Sequence, residues 1–146
     1  MGTTHLMRVV LDSNVLFSAL ISEHGPPHRI YAAWEAERFT LLTCSTQLDE
    51  IRRASRYPKF QQYLKPHRVG RMGNRVRGAI LVDGLTDEYE ATDPHDSWLL
   101  ALAHQGGADY LVTGDKRAGL LSRERIRSAR ILTAAAFCRD ALRERR

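Results

Sequence analysis

At 146 residues the chain is the length of one ordinary domain, enough to bury a core without disulfides or a structural metal. Apolar residues make up 43% and charged residues 27%, which excludes a disordered chain, and no apolar run approaches the roughly 18 residues that a membrane helix needs. The net charge is +5 and 19 of the 22 basic residues are arginine, whose planar fork suits phosphate, so a nucleic-acid partner is favoured over a membrane; a GC-biased genome would enrich Arg and Ala in the same way.

The start, Met1-Gly2-Thr3-Thr4-His5-Leu6-Met7, lacks the basic head, apolar middle and small-residue cleavage site of a secretory signal. Residues 1–7 read as a disordered or non-native start to a single domain spanning 1–146. The stretch Met7 to Leu11 is a nearly continuous apolar run with β-branched residues, as in a strand buried on both faces of a parallel sheet. It stops at Asp12-Ser13-Asn14, and an amphipathic stretch follows to Ile21. Gly25-Pro26-Pro27 breaks the chain, and His28 to Arg38 reads as a helix with Ile30, Tyr31, Ala33 and Trp34 inward; the Ile30, Ala33, Trp34 stripe would serve either the core or a homodimer.

A short strand is expected over Phe39 to Thr43. Thr46, three residues before Asp49, resembles a capping box and starts a helix expected to reach Arg56 before Pro58. Leu64, Val69, Met72, Val76 and Ile80 recur near helical spacing, while Gly70, Gly73 and Gly78 weaken that reading. A strand near Ile80 to Leu85 leads into the acidic run Asp87-Glu88-Tyr89-Glu90. Asp93-Pro94-His95-Asp96 then launches an apolar helix to His104, which Gly106-Gly107 ends. Asp109 to Thr113 is another buried-type strand, stopping at Gly114-Asp115. A basic loop, a strand over Ala129 to Leu132 and a helix from Ala134 to Leu142 complete the chain. Strands alternating with helices imply an α/β fold, a three-layer α/β/α sandwich around a mostly parallel sheet. Cys44 and Cys138 are isolated in sequence, which suits buried, inert thiols and a reducing cytoplasm.

Ligands of an open parallel sheet bind beyond the carboxyl ends of its strands. Asp12 closes the first strand, and Asp115 follows the strand ending at Thr113. Asp96 lies in the first turn of its helix, on one face with Leu99, Leu100 and Ala103, and Glu50 lies just inside a helix start with Ala54 and Tyr57 on its face. Helices that follow strands begin at the edge where strands end, so all four acids can converge there. Such a cluster needs trapped protons or a bound cation, and hard oxygen ligands favour Mg²⁺ or Mn²⁺. A metal in that place can activate water for attack on a phosphodiester.

Each acid has a plainer reading too. Asp93 and Asp96 fit the N-cap and N3 positions of a helix started by Pro94, Asp115 fits a turn, and Glu50 fits a solvated charge beside Arg52, Arg53 and Arg56. Asp12 is the hardest to dismiss, because an acid closing a wholly apolar strand is uncommon without a partner.

Four strings, in order, resemble the PIN-domain family: Val9-Val10-Leu11-Asp12-Ser13-Asn14-Val15-Leu16, Leu48-Asp49-Glu50-Ile51, Asp93-Pro94-His95-Asp96 with Leu99 to Ala103, and Gly107 to Asp115. The wording is most similar to the bacterial branch of toxin components of toxin and antitoxin pairs, the VapC-like ribonucleases. The resemblance implies Mg²⁺ or Mn²⁺ dependence and endonucleolytic cleavage of RNA, with Asp12, Glu50, Asp96 and Asp115 as the metal-binding catalytic acids. It implies that Asn14, Thr113 and Asp93 support the site, and that a small antitoxin is a partner. Arg53, Lys116 and Arg117 are the basic residues best placed by sequence to hold the RNA backbone. One departure stands out: many relatives carry a further acid where this chain has Arg117, which puts tight binding of a second metal in doubt.

Three other readings compete. A catalytically degenerate PIN-like module would bind RNA or protein without cutting. A phosphoacceptor regulator would use Asp12 or Asp115 with Thr113 and Lys116, but such receivers usually pair acids after the first strand, and this chain has Ser13-Asn14 there. A metal-free ribonuclease would need a histidine pair, and His5, His24, His28, His67, His95 and His104 form none that is recognisable.

Overall fold

The computed structural model describes residues 6–54, 56–58, 62, 64–86, 94–114 and 118–143. Its elements run β1 (Arg8–Leu11), α1 (Ser13–Ile21), α2 (Pro26–Glu35), β2 (Thr40–Thr43), α3 (Ser45–Ala54), α4 (Pro66–Arg77), β3 (Ile80–Leu81), α5 (Pro94–Gln105), β4 (Tyr110–Thr113), α6 (Ala118–Arg123), β5 (Arg125–Ile126), β6 (Ala129–Thr133) and α7 (Ala134–Asp140). The strands form one sheet in the order β3-β2-β1-β4-β6-β5. All neighbours are parallel except β5 and β6.

The three central strands are buried on both sides, which is why they read as unbroken apolar runs rather than alternating ones. Successive side chains nevertheless point to opposite faces and divide the interior in two. Val9, Leu11, Leu41 and Val112 join one core with α1, α2, α3, α4 and α7. Val10, Leu42, Leu111 and Ile131 join the other with α5 and α6. The result is the expected three-layer α/β/α arrangement. Phe137 of α7 closes the first core edge-on to Phe39 and Tyr110, at 5.8 and 5.4 Å between ring centres.

The Ile30, Ala33, Trp34 stripe is buried in that core, so it serves the interior and offers no face to a second copy. Tyr57, expected inward on the face of Glu50, is exposed instead, because α3 ends at Ala54. Thr46 is not the cap of α3; the helix begins one residue earlier, and the Cys44 carbonyl accepts the Leu48 N–H at 3.1 Å. The glycine-containing stretch does form α4, since Val69, Met72 and Val76 bury a continuous stripe that outweighs the glycine penalty. The strand expected to reach Leu85 is only Ile80–Leu81. The basic loop expected before β6 contains α6 and the short edge strand β5.

Candidate active site at the carboxyl edge of the sheet

The sheet grows from β1 outward to β2 and β3 on one side, then crosses to β4 and β6 on the other. Strand order therefore reverses between β1 and β4, and a crevice opens at such a reversal beyond the carboxyl ends of the strands. The register continues Leu11↔Val112 by one step, placing Asp12 beside Thr113 at that reversal.

Asp12 is fully buried. Its backbone N–H still extends the sheet, donating to the Val112 carbonyl at 2.9 Å, while its side chain caps α1 and accepts the Asn14 N–H at 3.2 Å through Oδ1. Oδ2 accepts the Thr113 hydroxyl at 2.9 Å. One residue thus ends a strand, starts a helix and is gripped by the neighbouring strand. Burying a carboxylate is costly unless donors or cations offset the lost water, and these two donors fix the plane of the group.

A second polar chain lies beside it. The buried Gln47 amide donates to the Leu11 carbonyl at 2.6 Å and to Ser13 Oγ at 3.4 Å, while its carbonyl oxygen accepts the Thr43 hydroxyl at 2.7 Å. These bonds pin the start of α3 to the junction of β1 and α1. Glu50 follows Gln47 by three positions, on the same helix face and half-buried. The Cys44 thiol, next to α3, is pushed up from its ordinary value chiefly by burial, with N–H groups of Gln47 and Thr46 opposing and the Glu50 charge adding to the rise. Both cysteines are buried thiols outside any disulfide, as their isolation in sequence suggests.

Asp96 is the third residue of α5 and half-buried, with its Oδ1 shut off from solvent and Leu99, Leu100 and Ala103 packed in the core on its face. The far end of α5 is tied to the start of β1, where the Arg8 guanidinium donates to the Gly106 carbonyl at 3.0 Å. From there the helix rises about 15 Å back to Asp96 at 1.5 Å per residue. The strand from Arg8 to Asp12 covers about 13 Å at 3.3 Å per residue. α5 thus runs back toward the carboxyl side of the sheet, with Asp96 in its first turn.

Asp12, Asn14 and Thr113 are joined directly, Glu50 shares a face of α3 with Gln47, and Asp96 is carried by α5 in the opposite layer; the three acids Asp12, Glu50 and Asp96 are not gathered into one metal-binding group. Arg53 is exposed on α3. Asp93, Asp115, Lys116 and Arg117 lie outside the described residues. Among the described residues, no three His, Cys, Asp or Glu side chains form a metal-binding group, and no helix is long and apolar enough to cross a membrane. Thr43, Ser13 and Gln47 are absent from the residues singled out by sequence; the available signal was that Gln47 precedes Glu50 by one helical turn at the end of a buried strand.

A cavity of about 340 Å³ opens at this edge, between the starts of α1, α2 and α7. Asn14, Ser18, Pro26, Gly114 and Thr133 are among its lining residues.

The PIN domain model matches residues 8–117, a span that holds Asp12, Glu50, Asp96 and Asp115. The chain is also similar to an uncharacterized protein of Methanocaldococcus jannaschii, 28% identical over 112 residues that cover 75% of this chain and 72% of that protein. With well over half of its length matched, and with the parallel sheet and its strand-order reversal in place, the chain belongs to the PIN-domain family, a fold generally of metal-dependent nucleases.

Proposed function

We propose that the protein is a metal-dependent endoribonuclease acting in the cytoplasm as the toxin of a toxin and antitoxin pair. The observation that carries the nuclease reading is Asp12: a wholly buried carboxylate at the strand-order reversal, held by Thr113 and Asn14, within a chain of the PIN family. Asp12, Glu50, Asp96 and Asp115 would hold Mg²⁺ or Mn²⁺, a reading supported by the hard, all-oxygen chemistry of these four side chains. When bound, the cation supplies an activated water and stabilises charge on the phosphodiester under attack.

The chain's own residues do the positioning. Thr113 and Asn14 hold the Asp12 carboxylate in one orientation, so little reorganisation is left for the reaction. Gln47 keeps the Glu50-bearing helix seated on the β1–α1 joint. Arg53, Lys116 and Arg117 would grip the RNA backbone, and Asp93 would serve as a supporting acid. Toxin activity rests on the likeness of four strings to the VapC-like branch and on the arginine-rich composition. The non-cleaving reading is favoured by one specific residue, Arg117, where many relatives carry an acid.

The test is cleavage of defined single-stranded RNAs by the purified protein with products mapped to the nucleotide. Cleavage should need Mg²⁺ or Mn²⁺, stop with a chelator, and fall at least 100-fold in Asp12→Asn and Asp96→Asn while circular dichroism stays unchanged. Parent-like cleavage by both variants would refute the assignment. A small protein from a neighbouring reading frame should bind the chain and suppress cleavage; a neighbourhood without one would leave a nuclease but remove the toxin.

A further inference from the structure

The cavity beside Asp12 is not needed to hold a cation, and its chemistry differs from that of the acids. Its volume of about 340 Å³ is at the small-ligand end of binding pockets, which are mostly apolar with a few placed polar groups. Pro26 and Pro27 occupy the first turn of α2; with no N–H and a fixed φ they present rigid ring faces and no backbone donor. Ala135, at the start of α7, also lines the cavity. Three polar groups interrupt this surface. Asn14 and Ser18 lie one turn apart on α1, both exposed. The Thr133 oxygen already accepts the Ala136 N–H at 3.1 Å, which leaves its hydroxyl hydrogen to donate elsewhere.

The location decides between a generic hollow and a subsite. The backbone N–H of Asn14, a lining residue, donates to Asp12 Oδ1 at 3.2 Å, and Gly114, another lining residue, follows Thr113, which donates to Oδ2. A phosphodiester presented to Asp12 would thus have the cavity within reach of a base on the same nucleotide. Unpaired RNA bases are read by contact on their faces and by hydrogen bonds at their edges. The apolar surfaces of the proline rings and an alanine methyl offer contact to a base face; the Asn14 amide and the Ser18 and Thr133 hydroxyls supply the hydrogen bonds.

We propose that the cavity formed by Asn14, Ser18, Pro26, Pro27, Thr133 and Ala135 is a nucleobase subsite that seats an unstacked base next to the phosphodiester to be cut. It rests on the nuclease reading above and adds to it the element that selects the cleavage position. The base enters from the single-stranded substrate, so a base locked in a duplex is excluded.

Ser18 and Ala135 are exposed, so a larger side chain at either fills the cavity without displacing the core. The experiment titrates the four nucleoside 5′-monophosphates into isotope-labelled protein with Mg²⁺ and follows amide shifts, for the parent, Ser18→Leu and Ala135→Leu. Mn²⁺ binding and circular dichroism serve as controls. At least one nucleotide should shift the Ser18, Thr133 and Ala135 amides, and both variants should weaken its binding at least tenfold with Mn²⁺ affinity unchanged. On mapped RNA the same variants should raise KM about tenfold and flatten the preference for the base beside the cut.

Nucleotide binding at the cavity in a parent that cuts no RNA would remove the nuclease reading and keep the subsite. A parent that cuts RNA but shows no nucleotide shift at the cavity, or variants with the parental affinity and cut pattern, would overturn the subsite and keep the nuclease. Shifts produced there by a partner protein and by no nucleotide would also overturn it.

Discussion

Asp12 could be recognised in sequence because two physical demands conflict at one position: an apolar strand end asks for an apolar residue, and a carboxylate stands there instead. Its partner Thr113 is 101 residues away and could be named only through the family likeness, since a threonine closing a β-branched strand is unremarkable. Gln47 was illegible for the same reason; its value comes from three bonds to other elements, and a sequence does not display bonds. Gln47→Leu should strand the Thr43 hydroxyl and the Leu11 carbonyl without partners, and leaving buried polar groups unsatisfied costs about 1–3 kcal/mol. Urea titration would read this as a lower midpoint with an unchanged slope, and an unchanged midpoint would show the network to be dispensable. Thr113→Val keeps the shape and removes the donor to Asp12, so cleavage should suffer more than stability.

A pH consequence also belongs to single residues. Burial raises the Cys44 thiol, and burial followed by the Glu35 charge raises the Tyr31 hydroxyl, above their ordinary values of 9.0 and 10.0. Above those values the unfolded chain releases protons that the folded one retains, so stability present below pH 9 declines as pH climbs through the alkaline range. Thermal melts between pH 8 and pH 11 should show that decline, and Cys44→Ala should lessen it.

At the scale of elements, the long helices were readable from apolar stripes and the central strands from short unbroken apolar runs. The failures lie where tertiary contact decides. α4 survives two glycines because a stripe of Val69, Met72 and Val76 is buried. β5 is two residues long and exists only through pairing with β6. That pairing sets Arg125 opposite Arg130, a like-charge cross-strand pair of a kind that also discourages edge-to-edge association. Arg130→Glu should stabilise the hairpin by about 0.2–1 kcal/mol, read from thermal melts, with the gain shrinking in high salt.

Gly106 shows a tighter constraint at the end of α5. A Cβ there would meet Leu42 Cδ1 at 2.7 Å and the Leu102 carbonyl oxygen at 2.9 Å. Gly106→Ala should therefore push the helix off the sheet and destabilise the protein by about 1–3 kcal/mol, the usual range for an overpacked core. Because Asp96 rides on the same helix, its cleavage rate should fall as well.

For the whole molecule, alternating strands and helices made the layer order legible, and the parallel sheet follows from that alternation. The side of the sheet on which each strand lands is set by crossovers that leave no local mark. That is why the reversal between β1 and β4, which positions Asp12 and Thr113, could be expected in kind but not located. Asp12 was legible as the close of a strand, whereas the cavity, assembled from α1, α2 and α7, depends on packing alone.

β4 is flanked by β1 from the beginning of the chain and by β6 from near its end. β4 therefore gains both neighbours only when residues 8–11 and 129–133 come together around it. Closure of the sheet's centre thus waits on long-range contact, the kind that slows folding.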